Sequence, residues 1–342
     1  MAIRTIDITS IDTTGVKPGA NLVYSHGNTS FEWVSGTFTP TATPAYSFQG
    51  SVAGYTSGGY RAPVPLYGGG QNTIDKFPFS SDSDATDVGD LFQTRRSSSG
   101  SSSSTHGYTA GGMSPAPAGY STIDKFPFSS DTNAADVGEL LDNVRNSSGQ
   151  SSSTHGYASG YNGPVSLSDT IQKYTFASDA NSTDVGNLTG NRRYAAGQSS
   201  TTHGYVSGGN DFSSLTDAIE KFPFSSDSDS TDVGEITQAR SDTAGQSSTT
   251  HGYSTGGSSA PRVNTIDKFP FSSDSSATDV GDLVYTKSQG AGQSSTQSGY
   301  SSGGSKPATT NEIEKISFSS DGNAVDIANL TQARFGASGQ QV

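Results

Sequence analysis

The sequence predicts an all-β chain: a six-bladed β-propeller closed by its N- and C-terminal strands, preceded by a small N-terminal β segment. Three observations carry this. A nine-residue phrase, "IDKFPFSSD" at Ile74 and Ile123, recurs as "IQKYTFASD" at Ile171, "IEKFPFSSD" at Ile219, "IDKFPFSSD" at Ile266 and "IEKISFSSD" at Ile313. The intervals are 49, 48, 48, 47 and 47 residues, a spacing typical of four-stranded propeller blades. Serine, threonine and glycine dominate, and no 3.6-residue apolar period persists, so a helical solenoid is excluded.

Residues 1–43 stand apart from the repeats. "GANLVYSHGNTSFEWVSG" reads as two short strands, residues 22–24 and 31–34, around a Gly-Asn turn, and "TFTPTATPAY" has linker composition. The repeats begin near residue 44 with "SFQGSVAGYTSGG". That strand has no repeat before it, and the chain stops at "FGASGQQV", where the next copy would start. The two ends therefore complete one blade, sealing edges that an open sheet would expose.

Within a repeat, a strand ending on a glycine pair comes first, as in "SSSTHGYTAGG" around His106. A connection of variable length follows, then the aromatic strand. Phe77 and Phe79 are two apart and share a face, while Ile74 and Lys76 point the other way. Apolar groups on both faces require cover on both sides, which stacked blades provide. Pro78, Pro127, Pro223 and Pro270 remove a donor from this strand, so it is expected to sit near the outer edge of the blade or to carry a bulge. A polar turn then leads to a last strand, "TDVGDLFQTR" from Thr86 and its relatives.

The chain has 342 residues, 30% hydrophobic, no cysteine and a net charge of −13. Disulfides and zinc–thiolate sites are excluded, and the acidic balance argues against nucleic acid as partner. No run is long enough for a membrane span, and "MAIRTIDITS" has no signal-peptide core.

Four histidines, His106, His155, His203 and His251, occupy one position of the repeat, with tyrosine two residues later. A ring of imidazoles around a metal or anion would need all six copies, but Ser298 and Ala53 stand in two of them. The position therefore reads as packing and hydrogen bonding. The aspartates of the polar turns, among them Asp82, Asp84, Asp87, Asp227, Asp229 and Asp232, resemble part of a calcium loop but lack its glycine and terminal glutamate. Turn capping by their own side chains is the simpler role, with calcium as the one candidate ion. A cation recurs twice per repeat, in the series from Lys76 and in Arg95, Arg145, Arg192, Arg240, Lys287 and Arg334, the second of these one residue late, placed to pair with the aspartates between strands. No nucleotide loop, nucleophile elbow or distinct carboxylate pair appears, so no catalytic residue is assigned and no cofactor is expected.

From the glycine pair to the next isoleucine the connections hold 14, 10, 9, 9, 8 and 8 residues. They are expected on one face, opposite the aspartate turns. A constant scaffold with variable loops is a common way to build a binding surface. Tyr60, Tyr67, Tyr120, Tyr161 and Phe212 are its candidate contacts, able to stack on sugars or pack against protein.

The order of arginine, "HGYxSGG" and the "IDKF" strand resembles kelch repeats. The fuller wording, "IDKFPFSSD…TDVGDL…R…GQSSTHGYxSGG" over residues 45–342, is similar to kelch-like repeats in virion proteins of tailed phages, notably those of marine cyanobacteria. It departs from ordinary kelch repeats in lacking their tryptophan, since Trp33 lies outside the repeats. The resemblance implies a non-enzymatic structural protein of the virion, assembled in the host cytoplasm, in a tail fibre, tail tip or capsid appendage. It implies attachment to other virion proteins through the N-terminal segment, with Tyr24, Phe31 and Trp33 as contacts, and several symmetric copies or a homo-oligomer. The loop face would bind host cell-surface glycan or protein, or a neighbouring virion protein. A secreted lectin-like propeller and a glycan-acting propeller hydrolase are the alternatives.

Overall fold

A computed structural model describes residues 20–25, 30–35, 49–62, 69–114 and 119–342. The chain divides into two compact units, Met1–Ala45 and Tyr46–Val342. In the first, strands Ala20–Ser25 and Ser30–Ser35 pair antiparallel, with Leu22 opposite Trp33 and Tyr24 opposite Phe31. The Gly-Asn turn between them and the linker after them lie outside the described residues.

The second unit is a six-bladed β-propeller, each blade an antiparallel four-stranded sheet. In blade 2 the strands run Ser99–Ser102, His106–Ala110, Tyr120–Pro127 and Ala135–Val144, from the axis outward. The "GQSSTHGY" phrase thus makes two strands, because a serine-capped turn reverses the chain before the histidine. In that turn Ser103 Oγ accepts from the backbone N–H of Thr105 and His106. Blade 1 is closed as the sequence predicts: Ser338–Gln341, from the C-terminus, is its innermost strand and pairs with Ala53–Ser57.

The proline-bearing strand is third in the sheet, next to the outermost strand and paired on both sides, and it carries the bulge that is the other expected accommodation. Proline is tolerated because it is the last residue of the strand, where the ladder to the outer strand has already ended at Lys125↔Ala135. The bulge lies earlier, between Ile123 and Asp124.

The core lies between blades. Ile74 faces blade 2, packing with Phe126 and Phe128, while Phe77 and Phe79 face blade 6, packing with Tyr300 and Ile313. Each tyrosine of the second strand packs its ring on the aromatic that directly follows the next blade's third strand. Tyr55–Phe128, Tyr108–Phe176, Tyr157–Phe224, Tyr205–Phe271, Tyr253–Phe318 and Tyr300–Phe79 all have ring centroids 4.7–5.0 Å apart. The glycine beside the tyrosine makes room for the other aromatic: a Cβ on Gly107 would lie 2.3 Å from the Phe126 ring. The "HGY" and "FPF" words are thus two halves of one interface.

Around the axis the innermost strands meet glycine to carbonyl. A Cβ on Gly149 would sit 2.1 Å from Gly100 O, and Gly197, Gly245, Gly292, Gly339 and Gly100 repeat this contact with the preceding blade around the circle. The strands enclose a channel with a cavity of about 130 Å³, lined mainly by glycine and serine.

Two tiers of ion pairs join the blades. Outside, Lys76, Lys125, Lys173, Lys221, Lys268 and Lys315 pair with Asp131, Asp179, Asp227, Asp274, Asp321 and Asp82 of the following blade. Inside, Arg95–Asp124, Arg192–Glu220, Arg240–Asp267, Lys287–Glu314 and Arg334–Asp75 are buried, pairing a cation at the end of one outer strand or five residues beyond it with the second residue of the next "IDK" word. The expected pairing of these cations with the turn aspartates is therefore corrected, and so is the place of Arg145. Val144, fully buried, occupies the inner position of blade 2, and opposite it Gln172 replaces the acid.

Candidate functional site

Chain direction sorts the connections onto two faces. The variable loops share one face with the links that carry each outer strand into the next innermost strand. The histidine turns and aspartate turns share the other.

On the variable-loop face each link contains one residue with left-handed backbone. These are Ser97, Asn146, Tyr194, Asp242, Gln289 and Gly336, with φ between 58° and 64°. That geometry turns each peptide toward its neighbour and closes a ring of backbone hydrogen bonds. Ser97 N donates to Gly336 O (2.6 Å), Gly336 N to Gln289 O (2.9 Å), and Gln289 N to Asp242 O (2.8 Å). Asp242 N then donates to Tyr194 O (2.7 Å), Tyr194 N to Asn146 O (3.0 Å), and Asn146 N to Ser97 O (2.7 Å). The six residues form a collar around a cavity of about 90 Å³ at the mouth of the channel.

One residue before each collar position lies a rim residue, paired by a backbone bridge with the next blade's variable loop. Arg96 pairs with Met113, Arg145 with Asn162, Arg193 with Asn210, Ser241 with Ser258, Ser288 with Ser305 and Phe335 with Tyr60. Collar, rim and loops are thus one continuous surface. Sequence reasoning missed both the collar and the rim. The doubled cation in "TRRS" and "NRRY" was the available signal: the first arginine is buried and the second stands on the rim.

The aromatic candidates divide. Tyr60 and Tyr161 are buried, at 5% and 3% exposure. Tyr60 packs on Phe335 beneath the Arg96 guanidinium, and Tyr161 Oη donates to Asp142. Tyr120 is half-buried, and its hydroxyl is tied to Ser114 O. Phe212 is 59% exposed, with its ring under Arg193. Tyr67 lies outside the described residues.

On the opposite face the aspartates of each polar turn go to separate partners, and the turns of blades 1 and 4 hold three of them. Asp82 pairs with Lys315, Asp84 accepts from Asn329 N, and Asp87 accepts from Gly89 N two residues on. Asp227, Asp229 and Asp232 repeat this with Lys173, Asn187 N and Gly234 N. Among the described residues no group of three or more His, Asp or Glu side chains gathers around one point. His106, His155, His203 and His251 do not line the channel cavity. Each Nδ1 bonds the hydroxyl of the preceding threonine at 2.8–2.9 Å. Burial, with the neighbouring lysine, holds each imidazole below its ordinary pKa.

No protein-family model and no curated protein matches this chain. The variable-loop face combines a hydrogen-bonded backbone ring, a half-circle of arginines and loops whose length differs between blades, an arrangement suited to recognition.

Proposed function

We propose that the chain is a non-enzymatic structural component of a tailed-phage virion, in a tail fibre, tail tip or capsid appendage. Residues 1–43 attach it to the particle, and the variable-loop face binds host surface or a neighbouring virion protein. The reading draws on the resemblance of the repeat wording to phage kelch-like repeats. The observation that carries it is the contrast between the two faces. The aspartate-turn face repeats one set of contacts, whereas the loop face changes in length and residue type from blade to blade. Selection for packing alone has no reason to vary one face and hold the other constant.

The test is gold-labelled antibody against residues 45–342 on purified particles of a phage that encodes the chain, viewed by electron microscopy. Label at tail or fibre tips supports a host-binding appendage, and label over the head supports a capsid decoration. Bare particles overturn the virion reading and favour a secreted propeller.

A further inference from the structure

The mouth of the channel carries a cluster of positive charge on a protein whose net charge is −13. Arg96, Arg145 and Arg193 stand on three successive rim positions, and the other three are Ser241, Ser288 and Phe335. Stacking and amides hold the guanidinium groups in place. Arg96 lies over the Tyr60 ring at 4.8 Å, and Arg193 lies over Tyr194 at 4.9 Å and Phe212 at 4.1 Å. Arg193 Nε donates to Asn210 Oδ1, and the Asn162 carbonyl, in the orientation that satisfies both ends of its amide, accepts from both Arg145 and Arg193 at 3.3 Å. Among the described residues Arg96 and Arg193 form no salt bridge with a carboxylate. Planar guanidinium groups fixed in this way are matched to a carboxylate from outside.

The other half of the collar has different chemistry. Asp242 accepts from Gln289 Nε2 at 2.8 Å and from Ser241 Oγ at 3.1 Å. Between the halves, Asn146 Oδ1, Ser147 Oγ and Thr243 Oγ1 are buried without a partner, and these residues line the cavity. Asn146 and Thr243 are only 6% and 8% exposed. Buried polar atoms rarely remain unsatisfied, so they mark a place for hydrogen-bonding groups of a ligand or of water. Tyr194 ties the halves together: its hydroxyl feels all three arginines and Asp242. Beside it Phe212, at φ 76°, holds a left-handed conformation that bulky residues avoid and leaves its ring exposed.

We infer that this mouth binds an acidic sugar residue, with its carboxylate on the arginine arc and its hydroxyls toward Asn146, Ser147, Thr243 and Asp242. Phe212 flanks the sugar ring. An inorganic anion or an acidic peptide side chain would use the arginines alone, leaving the buried polar atoms and the Asp242 carboxylate without donors from the ligand. A ring that carries both a carboxylate and several hydroxyls satisfies both halves. This deepens the reading of the loop face as a recognition surface and rests on it.

The test is titration calorimetry of the full chain with D-glucuronate, D-glucose and glutarate. Glucuronate is expected to bind at least ten-fold more tightly than either of the others. Arg193→Gln and Phe212→Ala are each expected to weaken it at least ten-fold with the melting temperature of Phe212→Ala unchanged. No heat with glucuronate overturns the inference. Equal affinity for glutarate overturns the sugar assignment, and full affinity in both variants places the ligand elsewhere and overturns the site. Free sugar and purified protein are independent of particle labelling, so failure here and failure of the virion reading are told apart.

Discussion

The hydroxyls of Ser101 and Tyr174 lie 2.6 Å apart across the boundary between blades 2 and 3, buried, and together they replace a contact made differently at the other five boundaries. At those boundaries a glutamine of the innermost strand donates to the tyrosine carbonyl of the next blade. Gln150 reaches Tyr205 O, and Gln198, Gln246, Gln293 and Gln340 reach Tyr253, Tyr300, Tyr55 and Tyr108 O, at 2.9–3.1 Å. Blade 2 has Ser101 where the glutamine belongs, too short to cross. Blade 3 has Tyr174 at the position that is Phe126 in blade 2, and its extra hydroxyl supplies the missing reach.

Tyr174→Phe is therefore expected to cost about 1–2 kcal/mol, because it leaves the buried Ser101 hydroxyl without its partner. Ser101→Gln alone crowds the Tyr174 ring and is also destabilising. The double variant restores the pairing of the other boundaries and is expected near wild type. Chemical denaturation of the four proteins, read as a double-mutant cycle, checks it. Additive losses would refute the exchange.

A second exchange concerns charge. Val144 and Gln172 replace a buried cation and its acid together, and Gln172 Oε1 still accepts from Leu141 N, as Asp267 Oδ2 accepts from Thr237 N at the ordinary boundary. Removing one member of a buried pair leaves an uncompensated charge, whereas removing both is often neutral. Arg240→Val is expected to cost about 3–5 kcal/mol, and Arg240→Val with Asp267→Gln to recover most of that. Urea midpoints of the single and double variants measure the difference.

These exchanges mark where the sequence was legible. Blade number, closure and the apolar faces followed from Ile74, Phe77 and their repeats, because side-chain type there reports burial directly. The inner ion pair is missing at blade 2, and the sequence signals it only as Arg145 falling one residue late, because an apolar Val144 fills the buried site and charge alone does not report that exchange. The collar left little trace, because left-handed backbone is shared by Ser97, Tyr194 and Gln289, residue types that do not favour it. Tyr60 and Tyr161 are buried because the connections that hold them continue the pairing: Tyr161 belongs to the strand His155–Asn162, opposite Ser168, and Tyr60 bridges Phe335 on the rim, and a connection's length does not reveal which way its rings turn.

The packed tyrosine–phenylalanine pairs make each blade interface sensitive to truncation. Phe128 is buried against Tyr55 and Phe126, with centroids 4.9 and 5.8 Å away. Phe128→Ala is expected to cost roughly 3–5 kcal/mol. Near-wild-type melting would contradict the interface.

At the axis, backbone proximity sets the limit. Gly197→Ala would place a Cβ 2.2 Å from Gly149 O, which neither side can relieve without shifting a strand. A loss of at least about 2 kcal/mol is expected. Gly190, with nothing within 4 Å of its would-be Cβ, is the control, and Gly190→Ala is expected within about 0.5 kcal/mol of wild type. Calorimetric melting of the two single-methyl variants separates crowding from a general intolerance of glycine replacement.

The four turn histidines give a pH dependence whose sign follows from their surroundings. His106 is partly buried, with Lys125 lowering and Asp179 raising its pKa; the corresponding pairs at His155, His203 and His251 are Lys173 and Asp227, Lys221 and Asp274, and Lys268 and Asp321. Burial dominates, so each folded imidazole titrates below its unfolded value of about 6.5. Between those two values the unfolded chain binds more protons than the folded one, and stability falls as pH falls. The loss begins near the unfolded value and levels off below the folded one. Replacing all four by serine, the residue that Ser298 provides in blade 6, removes this contribution and leaves that of the carboxylates. The difference in unfolding free energy between wild type and the quadruple variant is therefore expected to shift against wild type between pH 7.5 and 5.5. A difference that stays constant over that range would show that the imidazoles titrate alike in folded and unfolded chains.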